Sequence, residues 1–268
     1  MSSAVTVTEV RPGIALVTLN RPERLNAMNY DLVRGLYDVC DELASDRTCR
    51  VVVLTGAGRG FCAGLDLTEG ASPPEAAGLG RAQAGMTVQK MIAGLVPKMR
   101  ALPQPVIAAV NGAASGGGLA LALASDVRIA ADSARFNVAF IRVGLSGCDI
   151  GVSWMLPRLI GASRAFELLL TGRLIDAAEA DRIGLVTRVV PDADVVDSAL
   201  ETAALIAGNS PFGVRMTKEV MWSQLEIGSL QAGIDLENRT QVLASFTGDL
   251  TEAMAAFAEK RPPNFNDA

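Results

Sequence analysis

The chain has 268 residues, half of them hydrophobic and 20% charged, with a net charge of −5 and no histidine. That composition can bury the sizeable core of a large α/β domain, and its negative balance argues against nucleic acid or an anionic membrane as the main partner. Cys40, Cys49, Cys62 and Cys148 show no CxxC spacing, so free thiols in a reducing compartment are expected rather than a disulfide framework or a zinc site.

The N-terminal stretch MSSAVTVTEV has no basic region followed by an apolar run, and a cytoplasmic location is the expectation. Residues 4 to 19 read as two strands around a turn at Pro12-Gly13. Asn29 can cap a helix whose apolar positions Leu32, Val33, Leu36, Val39, Cys40 and Leu43 recur at helical spacing. VVVLT, 51 to 55, is a strand with both faces buried. A glycine-rich loop follows, and Ser72-Pro73-Pro74 forbids a helix directly after it. A helix is expected from about 82 to 101, then a strand at 105 to 110 and a short helix from Gly117. No charge occurs from Pro105 to Ser125, but Asn111 and four glycines break that run, so a strand, a turn and a buried helix fit better than a membrane span. VRIAA is the next strand, and beyond Gly151 the pattern is mostly helical, with one strand near GLVTRVV. One α/β domain with a helical C-terminal section follows from this order. The sequence contains no evident internal repeat.

Two glycine constellations carry the chemical signal. TGAGRGFCAGLDL follows a buried strand, and its glycines would let the backbone approach a ligand or simply make a tight turn. Gly58-x-Gly60-x-x-Ala63 mimics a dinucleotide fingerprint, but Leu65-Asp66-Leu67 and two prolines stand where the helix should begin. No GxxxxGK[ST] phosphate loop is present. In NGAASGGGLALALASD, three glycines open an apolar helix. Their free N–H groups would suit an oxyanion, and their small size would equally suit close packing.

LNRPERLNAM, VVVLTGAGRGFCAGLDL, PVIAAVNGAASGGGL and LLLTGRLIDAAEADRIGLVTRVV occur in the order expected of one family. From about residue 5 to 266 the chain resembles the enoyl-CoA hydratase/isomerase, or crotonase, family. The resemblance implies an α/β fold built as a spiral of β-β-α units, here 1–195, with a helical C-terminal trimerisation region, here 196–268. Trimers of such proteins commonly pair into hexamers, so a homotrimer or a dimer of trimers is implied. The implied ligand is an acyl-CoA or enoyl-CoA thioester, with coenzyme A as part of the substrate and no further cofactor or metal. By motif position, the backbone N–H groups that stabilise a thioester enolate belong to Ala63 and Gly117. Contacts to coenzyme A fall at Arg24, Leu25, Ala63, Gly64, Asp66 and Leu67. MAAFAEKRPPNF matches a stretch that reaches a neighbouring subunit's coenzyme A, pointing to Phe257 and Lys260. Lys260 could equally be an ordinary solvated lysine at a helix end.

The chain departs from the family where the chemistry is done. Hydratases use two glutamates; Ala120 and Phe140 stand at those positions, and neither side chain moves a proton. Asp149 in GLSGCDIGVSW is the remaining acid, and dienoyl-CoA isomerases of the family carry an aspartate there. A single carboxylate above an enolate can shift a proton between the α and γ carbons, which is double-bond isomerisation. Asp149 could instead cap the helix that follows it. Cys148 reads as a small buried residue or as a pocket thiol, and Glu69 and Glu75 as exposed loop charges or a second carboxylate. Two functional classes stay open: an enoyl-CoA isomerase or hydratase acting through Asp149, and a CoA-thioester binding protein without hydratase chemistry.

Overall fold

The computed structural model describes residues 4–68 and 73–266. β1 (Val5–Arg11) and β2 (Ile14–Leu19) form the antiparallel hairpin expected around Pro12-Gly13. β2 continues in parallel to β3 (Val51–Gly56), whose successors across the sheet are β5 (Val106–Val110), β7 (Val127–Ala131) and β10 (Arg188–Val190). A smaller sheet joins β4 (Gly60–Cys62), β6 (Ala113–Ser115), β8 (Arg135–Asn137) and β9 (Ile175–Asp176) in that order. Three times, therefore, a long strand of the large sheet hands the chain to a short strand of the small one: β3 to β4, β5 to β6 and β7 to β8. The structure repeats where the sequence shows no repeat, because a three-residue strand is too short to leave a periodic signature.

Burial on both faces of the large sheet follows from its apolar runs. Val52 and Leu54 of β3, with Val106, Ala108 and Val110 of β5, enter the main core. Val51, Val53, Ile107 and Ala109 enter a second core on the opposite face. Helix α1 (Tyr30–Ser45) covers the first face, capped by Asn29, whose side chain accepts the Leu32 N–H at 3.0 Å. It buries the six apolar positions that its spacing singled out. Helix α4 (Gly117–Ala124) is buried along its whole length, so the uncharged run from Pro105 to Ser125 is a strand, a short strand and a core helix. Among the described residues no helix is long and apolar enough to cross a membrane.

The single helix expected over 82–101 is two, α2 (Arg81–Ala93) and α3 (Leu95–Arg100). Tyr37 donates its hydroxyl to the Met91 carbonyl at 2.8 Å, drawing that carbonyl out of the helical ladder. Pro97 has no N–H to continue it. The division at 195/196 also moves. Helix α8 (Val195–Ala207) buries Val195, Ala199, Leu200 and Ala203 in the second core, against the sheet, so the α/β body runs through α8. The helices beyond it are α9 (Pro211–Gln224), α10 (Leu230–Ser245) and α11 (Gly248–Glu259). Between β8 and β9 lie α5 (Val152–Ile160) and α6 (Ala162–Thr171), and α7 (Ala177–Arg182) follows β9.

One polar knot ties α9 to the sheet. The Asp126 carboxylate accepts the Val106 N–H at 2.7 Å and the Trp222 indole N–H at 2.6 Å, and it pairs with the Lys218 ammonium at 3.0 Å. Burial pushes the Lys218 pKa down, while Asp126 opposes that shift. Removing one partner of a buried pair strands the other, at a cost of about 3–5 kcal/mol. Asp126→Ala is therefore expected to lower the unfolding free energy measured in urea by that amount, and amide hydrogen exchange should show α9 losing protection first.

Candidate active site

The segment 25–28 and the loop 63–66 are zipped together by backbone bonds. The Asn26 side chain, fully buried, donates to the carbonyls of Ala57 at 2.9 Å and Gly60 at 2.7 Å, and its Oδ1 accepts the Arg21 N–H at 2.8 Å. Leu25 and Asn26 both adopt left-handed conformations, φ 50° and 57°, which suits asparagine and strains leucine. The Leu25 carbonyl then accepts the Ala63 N–H at 3.0 Å, and Met28 exchanges bonds with Gly64 and Asp66 at 2.6 and 2.9 Å.

This pairing corrects the donor assigned from the sequence. The Ala63 N–H is spent on Leu25 and cannot hold an oxyanion. Met28 and Leu65 form a parallel bridge, so the Leu65 N–H points away from Met28, and among the described residues it has no partner. Gly64, at φ 102°, turns the chain so closely against α4 that a Cβ there would lie 2.9 Å from the Ser115 carbonyl oxygen and 3.8 Å from the Gly117 nitrogen. The Leu65 and Gly117 amides are therefore the candidate donors, with Leu65 two residues along from Ala63.

Each of the three glycines opening α4 has its own reason. Gly116 takes φ 50°. A Cβ on Gly117 would lie 2.0 Å from the Met28 methyl, and one on Gly118 would lie 1.9 Å from the Cys62 carbonyl oxygen. The Gly117 N–H stands in the first turn, where no helical carbonyl can accept it. Because α4 is wholly buried, its partial positive end acts with little solvent screening. Cys62 shares that dry setting, and burial pushes its thiol up to about 12.

Neither position of the family's glutamates is acidic. Ala120 is 0% exposed in the core, and the Phe140 ring stands over Gly116, with Cε1 3.3 Å from where a Cβ would begin. Asp149 is half-buried. Its Oδ1 accepts the Ile150 N–H at 2.7 Å and the Gln89 side-chain amide from α2. It does not cap α5: that place belongs to Gly151, at φ 76°, with no side-chain cap. Ile150, a β-branched residue at φ 45°, holds a conformation that costs about 1–3 kcal/mol. Its Cδ1 lies 3.6 Å from the Cβ position of Gly117, so the chain neighbour of Asp149 packs on the first turn of α4. Cys148 is exposed rather than buried.

The remaining candidates divide. Arg24 is exposed on a 3-10 turn (Pro22–Arg24), Leu25 is half-buried and Leu67 is exposed. Asp66 is committed internally: it pairs with Arg21 at 3.1 Å and accepts the Thr68 hydroxyl and N–H at 2.6 and 3.0 Å. Those Thr68 bonds, ahead of Arg21, hold its carboxyl below the usual range. Its side chain therefore fastens the loop instead of meeting a ligand. Phe257, 88% exposed, and Lys260, in the left-handed C-cap, sit on α11, which packs on α10. Glu75 is held by Tyr30 and Arg34 across the surface, and Glu69 lies outside the described residues. Sequence reasoning missed the Leu65 amide and Gln89, since a peptide's direction and a helix-to-loop contact depend on pairing across the fold.

The two central glycines should fail differently. Gly117→Ala meets the flexible end of Met28 and is expected to cost about 1–3 kcal/mol. Gly118→Ala meets backbone and should be the more damaging in urea titrations of the two purified variants.

The chain matches the family model described as enoyl-CoA hydratase/isomerase over residues 9–268. A probable enoyl-CoA hydratase of Mycobacterium tuberculosis, EchA12, is 46% identical over 266 residues, covering 99% of this chain and 93% of that one. The 1,2-epoxyphenylacetyl-CoA isomerase of Escherichia coli is 39% identical over 259 residues, covering 97% of both. Among solved structures, a probable enoyl-CoA hydratase/isomerase from Mycobacterium abscessus superposes with a TM-score of 0.93 at 43% identity, covering 99% of each chain. With that coverage and the shared architecture, the chain belongs to the enoyl-CoA hydratase/isomerase family.

Proposed function

We propose that the protein shifts a double bond in an enoyl-CoA thioester, with Asp149 as the single acid/base. The observation that carries this reading is Asp149 itself, a half-buried carboxylate whose chain neighbour Ile150 packs against Gly117, while Ala120 and Phe140 leave the usual acid positions empty of acids. The thioester oxygen would accept the Leu65 and Gly117 N–H groups. The Asp149 carboxylate takes a proton from the α carbon, and the electron pair moves through the carbonyl to give a dienolate. The protonated Asp149 delivers a proton at the γ carbon, moving the double bond into place and restoring the carboxylate; partial exchange with solvent before delivery labels the product in D₂O. Each fixed donor is worth about 3–4 kcal/mol to such an oxyanion, and the step needs no second acid. Relatives carry both kinds of name, a probable hydratase and an isomerase, so the choice of isomerisation rests on the single acid.

Arg24, Leu25, Gly64 and Leu67 border the coenzyme A in this reading, and Phe257 and Lys260 reach it from a neighbouring subunit. That arrangement fits assembly as a homotrimer or a dimer of trimers. Helices α10 and α11 leave Leu230, Phe246 and Phe257 more than 80% exposed in one chain, a surface that association would cover. Buried free thiols at Cys40, Cys49 and Cys62 fit a cytoplasmic site of action.

Asp149→Asn is expected to cut isomerisation of trans-3-hexenoyl-CoA by about 10²–10⁴-fold and to abolish deuterium uptake from D₂O, read by mass spectrometry. Wild-type turnover by the variant would overturn the reading. Tight binding of the thioester by wild-type protein without turnover would mark a CoA-thioester binding protein instead. Light scattering at micromolar concentration should give a mass three or six times that of the chain, and a monomer would remove the assembly.

A further inference from the structure

We infer that Gln89 is the positioning residue that selects which oxygen of Asp149 carries the proton. The inference rests on Asp149 being the acid/base and adds a second residue to that site. A carboxylate has two equivalent oxygens, and its terminal torsion is broad and two-fold. Unrestrained, it presents either oxygen or neither to a substrate carbon.

Here the two oxygens are not equivalent. Oδ1 accepts two N–H donors, the Gln89 side-chain amide and the backbone amide of Ile150 at 2.7 Å. Among the described residues no donor reaches Oδ2. The Ile150 bond joins neighbours in the chain and moves with the Asp149 loop. The Gln89 bond is different, because it crosses 60 residues of sequence from α2 to the turn before α5. Among the described residues it alone ties the carboxylate to an independent element. With Oδ1 engaged, Oδ2 is the atom that takes the α proton and returns it at the γ carbon.

Gln89 has little structural use otherwise. It is exposed, and Ile92 is the buried side chain of its helix. An exposed hydrogen bond of this kind contributes little to folding. Its loss should therefore be felt in the rate, where misplacement by about 1 Å costs on the order of 100-fold.

The test uses Gln89→Met, which keeps length and removes the donor, with Asp149→Asn and the double variant, assayed with trans-3-hexenoyl-CoA. Gln89→Met should lower kcat about ten- to a hundredfold with KM within about twofold and an unchanged thermal midpoint. In D₂O its product should carry more solvent deuterium per turnover, because a carboxylate free to rotate exchanges its proton before returning it. The double variant should be no slower than Asp149→Asn alone, since a positioning residue has nothing to position without its acid. Wild-type kcat and deuterium content in Gln89→Met, with Asp149→Asn inactive, would overturn this inference and leave the acid/base reading standing. So would losses that simply multiply in the double variant. Full activity in Asp149→Asn, or no turnover by the wild type, would remove the acid/base reading and this inference together.

Discussion

Backbone packed on backbone sets the geometry of this site. The first turn of α4 lies so close to the end of β4 that a methyl group on Gly118 would overlap the Cys62 carbonyl oxygen. That contact fixes the buried helix end relative to the loop that carries Leu65. Because both donors are main-chain amides in rigid elements, their spacing does not depend on side-chain rotamers. Met28 joins the two halves from a third direction. It pairs with the loop through its backbone and fills the space over Gly117 with its side chain.

Around that fixed pair the fold spends its polar groups on internal fastening. Asp66 and Arg21 lock the loop that follows the donors, Asn26 holds the one before them, and Asp126 with Lys218 secures α9 to the far end of the sheet. Asp149 differs from these acids in having, among the described residues, one oxygen without a protein donor. A carboxylate that keeps one oxygen unengaged has the arrangement expected of a working group rather than a structural one.

Much of this was legible in the sequence, for reasons that differ by element. Helix α1 could be read in full because its cap and apolar stripe are local signals. The strands β3 and β5 announced themselves as apolar runs, and β7 as one broken only by Arg128. The second sheet was not legible, since β4, β6 and β8 are three residues each and exist only by pairing with one another. In the site, glycine spacing located the loops, and the missing glutamates were plain at Ala120 and Phe140. The donor was misread by two residues because the direction of the Ala63 amide is decided by Leu25, nearly forty positions earlier. Asp149 stood out as a lone acid, but it does not cap α5, and Cys148 beside it is exposed rather than buried. The left-handed turn at Ile150 and Gly151 has no local signal in the sequence.

The break between α2 and α3 leaves two neighbouring helices of unequal stiffness. Helix α3 is anchored in the core by Leu95, Val96 and Met99, whereas α2 is held by Ile92 at one end. Before α2, Glu75 is clipped to α1 through Tyr30 and Arg34. A lightly anchored helix between two fixed points is the more compliant of the pair. That same helix carries the amide that steadies Asp149. In the proposed reaction, any ligand that displaced α2 would loosen the acid with it.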